Sequence, residues 1–312
     1  MASSNPIRRR FTLFTSFLIL FFFFHHSMAT PRKLAAIVKQ QPLVLNYHNG
    51  PLLNGNVTVN LIWYGKFTPS QRAIVVDFLN SVNSPSSSSS PSVSSWWRTI
   101  GKYYGGQRDV VLGDHQVLDE HYSLGKSLKT THLEALAYKS ATRGKSSVVV
   151  VLTSADVAVE GFCMNRCGTH GAGKGKNGKI AYAWVGNSVS QCPGQCAWPF
   201  HQPIYGPQTP PLVAPNGDVG MDGMIVNLAT VLAGTVTNPF KNGYFQGSVN
   251  APLEAVSACT GIFGAGAYPG YPGEVLVDKT TGASYNAFGV NGRKYLVPAM
   301  WDPETSTCKT IV

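Results

Sequence analysis

The residues with the clearest potential for chemistry are six cysteines, all in the second half of the chain. They form two Cys-x-x-x-Cys pairs and two single residues, namely Cys163, Cys167, Cys192, Cys196, Cys259 and Cys308. An even number of cysteines in an oxidising compartment favours disulfides. A reasonable set is Cys163–Cys167, Cys192–Cys196 and Cys259–Cys308, but six cysteines allow many pairings and the sequence does not choose among them.

Histidines near the cysteine pairs make zinc binding the alternative. His170 follows the first pair and His201 follows the second. Thiolate sulfur and imidazole nitrogen are ligands that zinc accepts. The gap within each pair is not the usual two residues, and secretion favours oxidation of the thiols. We therefore expect disulfides, no metal site and no cofactor.

A long apolar helix is predicted at residues 224–236, and its place in the chain resembles that of the zinc-binding helix of zincin metalloproteases. A zincin helix carries His-Glu-x-x-His, in which the histidines hold zinc and the glutamate activates water. Residues 224–234 read Met-Ile-Val-Asn-Leu-Ala-Thr-Val-Leu-Ala-Gly, without histidine or acid. A zincin-like scaffold here would lack the metal motif, and a plain core helix is the simpler interpretation.

Four carboxylates are candidates for glycoside hydrolysis, which needs two of them roughly 5 to 10 Å apart. Asp218 and Asp222 are one helical turn apart, and Glu254 and Asp278 follow later in the chain. The sequence does not show which two of these four carboxylates, if any, lie close together in the folded protein. Helix capping is the role that we predict for Asp218 or Asp222.

Two further features have competing interpretations. Four tryptophans could stack on sugar rings or pack in the core: Trp96, Trp97, Trp198 and Trp301. Residues 173–180, Gly-Lys-Gly-Lys-Asn-Gly-Lys-Ile, nearly match a phosphate loop, but isoleucine replaces the hydroxyl that would bind magnesium. Because this segment precedes a predicted strand and not a helix, we expect a solvated basic loop.

The N-terminus has the pattern of a secretory signal peptide over residues 1–29. The positive segment Arg8–Arg10 precedes an apolar run at 11–24, and Ser27 and Ala29 provide the small residues that signal peptidase reads. The apolar run is shorter than the roughly 20 residues that span a bilayer. We therefore predict a secreted chain that starts near Thr30 and has no membrane span after cleavage.

The chain is basic, with a formal net charge of +10. Three of these charges lie in the predicted signal peptide, which carries no acid, so +7 remains in residues 30–312. A basic secreted protein is attracted to polyanions such as acidic wall polysaccharides. We expect no nucleic-acid partner, because the compartment is wrong and no stacked basic–aromatic motif occurs. The sequon Asn56-Val57-Thr58 predicts glycosylation at Asn56.

Alternating strand and helix patterns predict the fold that must position these residues. Strand patterns occur at 57–64, 110–118, 148–152 and 180–185. The continuous apolar run at 148–152 is typical of an interior strand covered on both faces. A flexible serine–proline loop is predicted at 84–95. We predict a single domain over residues 30–312, either α/β or α+β, with a mixed central sheet flanked by helices.

Several long strings give the chain a resemblance to a known family. They are Leu61-Ile62-Trp63-Tyr64-Gly65, Gly-Phe-Cys-Met-Asn-Arg-Cys-Gly-Thr-His-Gly at 161–171, Cys-Pro-Gly-Gln-Cys-Ala-Trp-Pro-Phe at 192–200 and Asn-Gly-Asp-Val-Gly-Met-Asp-Gly-Met at 216–224. With these strings the chain resembles the EXORDIUM family, also called the phosphate-induced protein 1 family. The resemblance implies an apoplastic or cell-wall protein linked to brassinosteroid-responsive growth and cell expansion. It implies no known reaction and no agreed catalytic residues.

Two classes of function remain open on the sequence. The first is a non-catalytic extracellular protein that binds a cell-wall polysaccharide or a receptor and promotes growth. The second is an extracellular hydrolase of wall polymers that uses acids such as Asp218, Asp222 or Glu254. The sequence indicates no oligomeric state.

Overall fold

The computed structural model describes residues 42–85, 90–114, 116–140, 146–164, 166–175 and 178–312. The predicted signal peptide at 1–29 and residues 86–89 of the predicted serine–proline loop lie outside these residues. Residues Leu43–Val312 form one compact unit.

Strands of very different length occur along the described chain. They are β1 (Asn46–Tyr47), β2 (Gly55–Tyr64), β3 (Arg108–Leu112), β4 (Val117–Asp119), β5 (Ser127–Leu128), β6 (Ser147–Thr153), β7 (Ala158–Val159), β8 (Gly168–Gly175), β9 (Gly178–Gly186), β10 (Tyr244–Ser248), β11 (Ala251–Leu253), β12 (Leu276–Val277), β13 (Ser284–Tyr285), β14 (Ala287–Phe288), β15 (Lys294–Tyr295), β16 (Met300–Asp302) and β17 (Thr307–Lys309). The α-helices are α1 (Pro69–Val82), α2 (Val93–Trp97), α3 (Thr130–Ser140), α4 (Pro193–Cys196) and α5 (Val219–Thr237). Short 3₁₀ helices cover Arg98–Lys102, Ser257–Cys259 and Val290–Gly292.

The central sheet has the strand order β3–β2–β6–β9–β8, with β4 also paired to β2. All neighbours run parallel except β8, which is antiparallel to β9. Every residue of β6 is buried. Its side chains alternate between two cores, with Val148 and Val150 in one and Val149 and Val151 in the other. The mixed sheet and its interior strand at 148–152 are therefore confirmed.

One predicted strand is divided in two. The pattern at 110–118 predicts a single strand, whereas β3 ends at Leu112 and β4 starts at Val117. The chain bends after β3, where the Gly113 amide donates to the Val59 carbonyl at 2.8 Å. β4 then pairs with the last part of β2, from Ile62 onward. The prediction of one strand was wrong because the residues of both β3 and β4 favour strands. The break between them depends on how each pairs with β2, which the local sequence does not show.

The helix starts follow local capping. The sequence Thr68-Pro69-Ser70-Gln71 has the pattern of a capping box, and this box forms at the start of α1, where the Gln71 amide donates to Thr68 Oγ1 at 3.2 Å. Ser92 caps α2, so this helix begins at Val93, inside the segment predicted as a loop to residue 95. The helical packing of Trp96 and Trp97 sets this boundary, since both side chains are buried.

Helix α5 forms the floor of the region described next. It begins at Val219, earlier than predicted, because Asp218 Oδ1 accepts a hydrogen bond from the Met221 amide at 3.0 Å. It packs on β8 and β9. By length and composition α5 is apolar enough to cross a membrane, but 83% of that stretch is buried inside the protein. Burial on most sides is typical of a core helix.

Candidate functional site

A cleft of about 1150 Å³ lies over the middle of α5. Its walls come from α4 and from the loop segments 203–207, 256–263 and 267–270. These segments come from two parts of the chain, 193–207 and 256–270, and contain little regular structure. The cleft is therefore formed by loops brought together on one long buried helix, which is a common arrangement for binding sites.

The α5 residues that face the cleft occupy the spacing of a zincin motif. Val226, Asn227 and Thr230 line it, at positions i, i+1 and i+4 of the helix. His-Glu-x-x-His would place its first histidine, its glutamate and its second histidine at this spacing. Valine, asparagine and threonine provide neither imidazole for zinc nor a carboxylate to activate water. In this part of the cleft, the side chains are suited to contact a ligand and not to metal-assisted hydrolysis.

The described lining of the cleft contains no Asp, Glu, Lys, Arg or His. It contains aromatic side chains instead, and two of them are strongly exposed: Tyr205 is 87% exposed and Tyr268 is 62% exposed. Trp198 is half-buried beside Phe263, with ring centroids 5.8 Å apart. Exposed aromatic rings at a concave surface indicate a binding site, since they leave apolar area in water.

Two turns carry the exposed tyrosines and are packed against each other. Tyr205 precedes Gly206-Pro207, and Tyr268 precedes Pro269-Gly270. Gly270 has a φ of +91°, and a Cβ added there would lie 2.7 Å from the Pro207 side chain. Thr209 Oγ1 also donates to the Gly270 carbonyl at 2.8 Å. This close contact requires glycine and holds both tyrosines at the same end of the cleft.

Disulfides brace another wall of the cleft. The structure contains Cys163–Cys192, Cys167–Cys196 and Cys259–Cys308. The last pair is in the predicted set, but the prediction of bonds within each Cys-x-x-x-Cys pair was wrong. Cys192 directly precedes the single turn of α4 and Cys196 is its last residue, with their sulfurs 3.7 Å apart. Both therefore point to the same neighbouring segment, where each meets one cysteine of the other pair.

The residues of the alternative zinc site make other contacts in this structure. All six cysteines are in disulfides, and His170 Nε2 lies 2.8 and 2.9 Å from the two carboxylate oxygens of Glu254. His201 Nδ1 lies 3.0 Å from the Gln202 carbonyl oxygen. Among the residues that the structure describes, no group of three or more His, Cys, Asp or Glu is arranged to hold a metal ion.

Asp218 and Asp222 stabilise the start of α5. Asp218 is the predicted helix cap, and its Oδ2 accepts a hydrogen bond from Gln71 Nε2 at 2.9 Å. Asp222 is 2% exposed and accepts hydrogen bonds from the Asn216 amide at 2.8 Å and from Asn216 Nδ2 at 2.6 Å. Burial raises the pKa of Asp222 to about 7. Both acids make structural contacts and neither belongs to the described cleft lining.

The other two acids are also in structural contacts. Glu254 Oε1 accepts a hydrogen bond from Asn238 Nδ2 at 2.7 Å, in addition to its contact with His170. Asp278 forms an ion pair with Lys294, and the hydrogen bond from this lysine lowers the pKa of Asp278 to about 2. The structure does not bring a pair of the four acids together in the described cleft lining.

Of the six tryptophans, all of which are described, only Trp198 is not buried. The other three sugar-stacking candidates pack in the core, namely Trp96, Trp97 and Trp301. Trp96 Nε1 donates to the Pro298 carbonyl at 2.7 Å, and Trp97 Nε1 donates to the Arg108 carbonyl at 2.7 Å. Tyr205 and Tyr268 were missed by the sequence interpretation. Their signal is an aromatic residue next to Pro and Gly, because such turns lie at the surface.

Two remaining predictions lie away from the cleft. In the phosphate-loop lookalike, residues 173–175 end β8 and residues 178–180 begin β9, so the segment precedes a strand and not a helix; residues 176–177 lie outside the described residues. Asn56 is exposed near the start of β2. Exposure permits glycosylation, which stays a prediction.

A second, smaller cavity lies against α3. It has a volume of about 280 Å³, and its described lining includes Glu134, Tyr138 and Tyr182. Tyr182 Oη donates to Glu134 Oε1 at 3.4 Å, and burial raises the pKa of Tyr182 to about 12. One carboxylate lines this cavity, whereas glycoside hydrolysis uses two.

Comparison with known proteins gives one consistent family. The family model described as phosphate-induced protein 1 conserved region matches residues 45–311. The chain is 64% identical to Protein EXORDIUM-like 2 of Arabidopsis thaliana, covering 96% of this chain and 98% of that one. It is 60% identical to Protein PHOSPHATE-INDUCED 1 of Nicotiana tabacum (90% and 93% covered) and 56% identical to Protein EXORDIUM of Arabidopsis thaliana (95% and 98% covered). No solved structure matches the chain. The chain belongs to the phosphate-induced protein 1 family, together with EXORDIUM and the EXORDIUM-like proteins.

Proposed function

We propose that this protein is a secreted, non-catalytic component of the extracellular space or cell wall, where it binds a wall component or a receptor and promotes brassinosteroid-responsive cell expansion. The observation that carries the proposal is the cleft over α5. Its described lining has no acid, base or imidazole, and the zincin positions are Val226, Asn227 and Thr230.

Two other features support secretion. Three disulfides are typical of proteins that fold in an oxidising compartment, and the sequence begins with a signal-peptide pattern. Family membership supports the link to growth through the resemblance described above. The alternative, a hydrolase of wall polymers, has less support because Asp218, Asp222 and Glu254 all make structural contacts outside the described cleft lining.

Secretion is tested by expressing the full chain with a C-terminal tag in plant cells and sequencing the N-terminus of the recovered protein. We expect it in the apoplastic wash, starting near Thr30. A matched chain that lacks residues 2–29 should stay inside the cell. Retention of the full-length protein inside the cell would contradict the proposal.

The non-catalytic role is tested by restoring cell expansion in plants that lack the equivalent protein. Wild type and Glu134→Gln should restore cell length equally, because Glu134 is the acid in the smaller cavity and is not used for chemistry in this account. Loss of rescue by a Glu134→Gln protein that accumulates normally would favour an enzyme.

A further inference from the structure

The charge of the cleft differs from the charge of the chain as a whole. Without the predicted signal peptide the sequence carries a net charge of +7, which favours acidic partners, yet no cationic side chain occurs in the described lining of the cleft. An acidic polymer that entered the cleft would lose hydration of its carboxylates and gain no counter-charge from that lining. A ligand that fits the cleft is therefore uncharged.

Several polar side chains of the cleft donate hydrogen bonds to the protein and keep acceptor atoms for a ligand. Asn227 Nδ2 donates to the carbonyls of Cys196 at 2.8 Å and Gly223 at 2.9 Å. These bonds fix the amide and leave Asn227 Oδ1 as the atom that it offers to a ligand. Gln195 Nε2 donates one hydrogen bond, to the Met164 carbonyl at 3.2 Å, so Gln195 offers its Oε1 acceptor and one remaining N–H donor.

Two threonines of the lining repeat this pattern. Thr230 Oγ1 donates to the Val226 carbonyl at 2.8 Å, and Thr260 Oγ1 donates to the Ser257 carbonyl at 2.7 Å. A hydroxyl that donates its one hydrogen keeps its lone pairs as acceptors. The cleft thus presents acceptors from two amides and two hydroxyls, which suits a ligand rich in O–H donors.

The aromatic side chains complete the recognition surface. Tyr205 and Tyr268 are exposed, and the contact of Pro207 with Gly270 holds their turns together. Trp198 adds a half-buried ring against Phe263. Flat aromatic faces pack on the apolar C–H faces of sugar rings, while the ring hydroxyls remain free to donate hydrogen bonds.

We propose that this cleft binds a segment of a neutral polysaccharide, with sugar rings stacked on Trp198, Tyr205 and Tyr268 and sugar hydroxyls donating to Asn227, Gln195, Thr230 and Thr260. This inference rests on the proposed function, because it names the class of wall component that the secreted protein takes. It also distinguishes two modes of binding: the positive net charge of the chain favours acidic polymers in general, whereas the cleft would select neutral ones.

The test is isothermal titration calorimetry on the full secreted chain with three neutral probes, cellohexaose, mannohexaose and xylohexaose, and with hexagalacturonic acid as the anionic probe. We expect saturable binding of at least one neutral hexasaccharide, unchanged between 50 and 500 mM NaCl. Contacts between neutral groups are not screened by salt, whereas attraction of an anion to the basic surface is. Failure of all three neutral probes would overturn the proposal.

Substitutions of the exposed tyrosines test whether the neutral hexasaccharide binds in the cleft. Tyr205→Ala and Tyr268→Ala should each weaken the neutral hexasaccharide by roughly tenfold or more through loss of a stacking face, and Tyr205→Phe should restore wild-type affinity. The matched control is Tyr104→Ala, which removes a tyrosine that is 65% exposed and does not line the cleft. Equal affinities in all these variants would overturn the assignment of the ligand to the cleft.

The outcomes distinguish this inference from the function on which it rests. If the protein is recovered from the apoplastic wash and supports cell expansion but binds no neutral hexasaccharide, the glycan assignment fails and the growth role stands. If it binds a neutral hexasaccharide through Tyr205 and Tyr268 but stays inside the cell, the glycan assignment stands and the proposed function fails.

Discussion

The central sheet and the walls of the cleft are held in place by different forces. In the sheet, β6 is buried along its whole length and its valines fill two cores. In the cleft walls, α4 is a single turn, and disulfides and tight turns connect segments with few buried apolar residues. Apolar burial therefore stabilises the sheet, while the cross-linked loops of the cleft leave aromatic side chains exposed for binding.

The largest effect on stability is expected in the sheet. Trp63 in β2 is 1% exposed, and its Nε1 donates to Gln116 Oε1 at 2.7 Å. Trp63→Ala should lower the free energy of unfolding by about 3–5 kcal/mol, because it removes a large buried side chain and leaves a cavity. Urea unfolding followed by circular dichroism measures this change. A loss below about 1 kcal/mol would show that the sheet core is not the main source of stability.

Removal of one cleft disulfide should have the next largest effect. The double substitution Cys167→Ser with Cys196→Ser opens a bond between residues 29 apart in sequence. We expect the free energy of unfolding to fall by about 2–4 kcal/mol, because the unfolded chain gains freedom. Peptide mapping without reduction checks that Cys163–Cys192 still forms. A bond within a Cys-x-x-x-Cys pair of the wild type would contradict the structure.

The pH dependence of stability should show an effect that is smaller per pH unit, and it originates at Asp222 in the first turn of α5. Burial raises the pKa of Asp222 to about 7 in the folded state, above its ordinary value in the unfolded chain. Between pH 4 and that value the folded state holds the extra proton, so the free energy of unfolding should fall as pH rises, by about 1 kcal/mol per unit. Asp222→Asn should flatten this slope. An equal slope in both proteins would assign it to another group.

The smallest effect on stability is expected at the rim of the cleft. Tyr205 is 87% exposed, so Tyr205→Ala should change the free energy of unfolding by less than about 0.5 kcal/mol. The same urea titration measures it. A decrease of about 2 kcal/mol in the free energy of unfolding would mean that the Tyr205 side chain stabilises the fold. The cleft walls would then not differ from the central sheet in this respect.

Local patterns in the sequence predicted the central sheet and the helix next to it well. The apolar run at 148–152 identifies an interior strand, and the capping box at Thr68 identifies the start of α1, because both signals depend on neighbouring residues. The structure of the cleft walls depends instead on contacts between segments that are distant in the sequence. The pairing of Cys163 with Cys192 requires α4 to lie beside residues 163–167, and no local pattern contains that information.

The candidate site shows the same limit. The sequence shows that the helix at 224–236 lacks histidine and acid, but only the fold shows that Val226, Asn227 and Thr230 face a cleft. It also places Tyr205 and Tyr268 at one end of that cleft through the contact of Pro207 with Gly270. The sequence shows which residue types are present, but it does not show which of these residues lie close together in the folded protein.

The side-chain indole signal of Trp198 in a proton–nitrogen NMR spectrum reports whether a neutral glycan occupies the cleft. The protein has six tryptophans, and Trp198 alone is not buried. Titration with the tightest-binding neutral hexasaccharide should shift the Trp198 signal to saturation at the affinity measured by calorimetry, while the other five indole signals stay in place. A neutral hexasaccharide that binds without moving the Trp198 signal, or a shift caused by hexagalacturonic acid instead, would contradict the account.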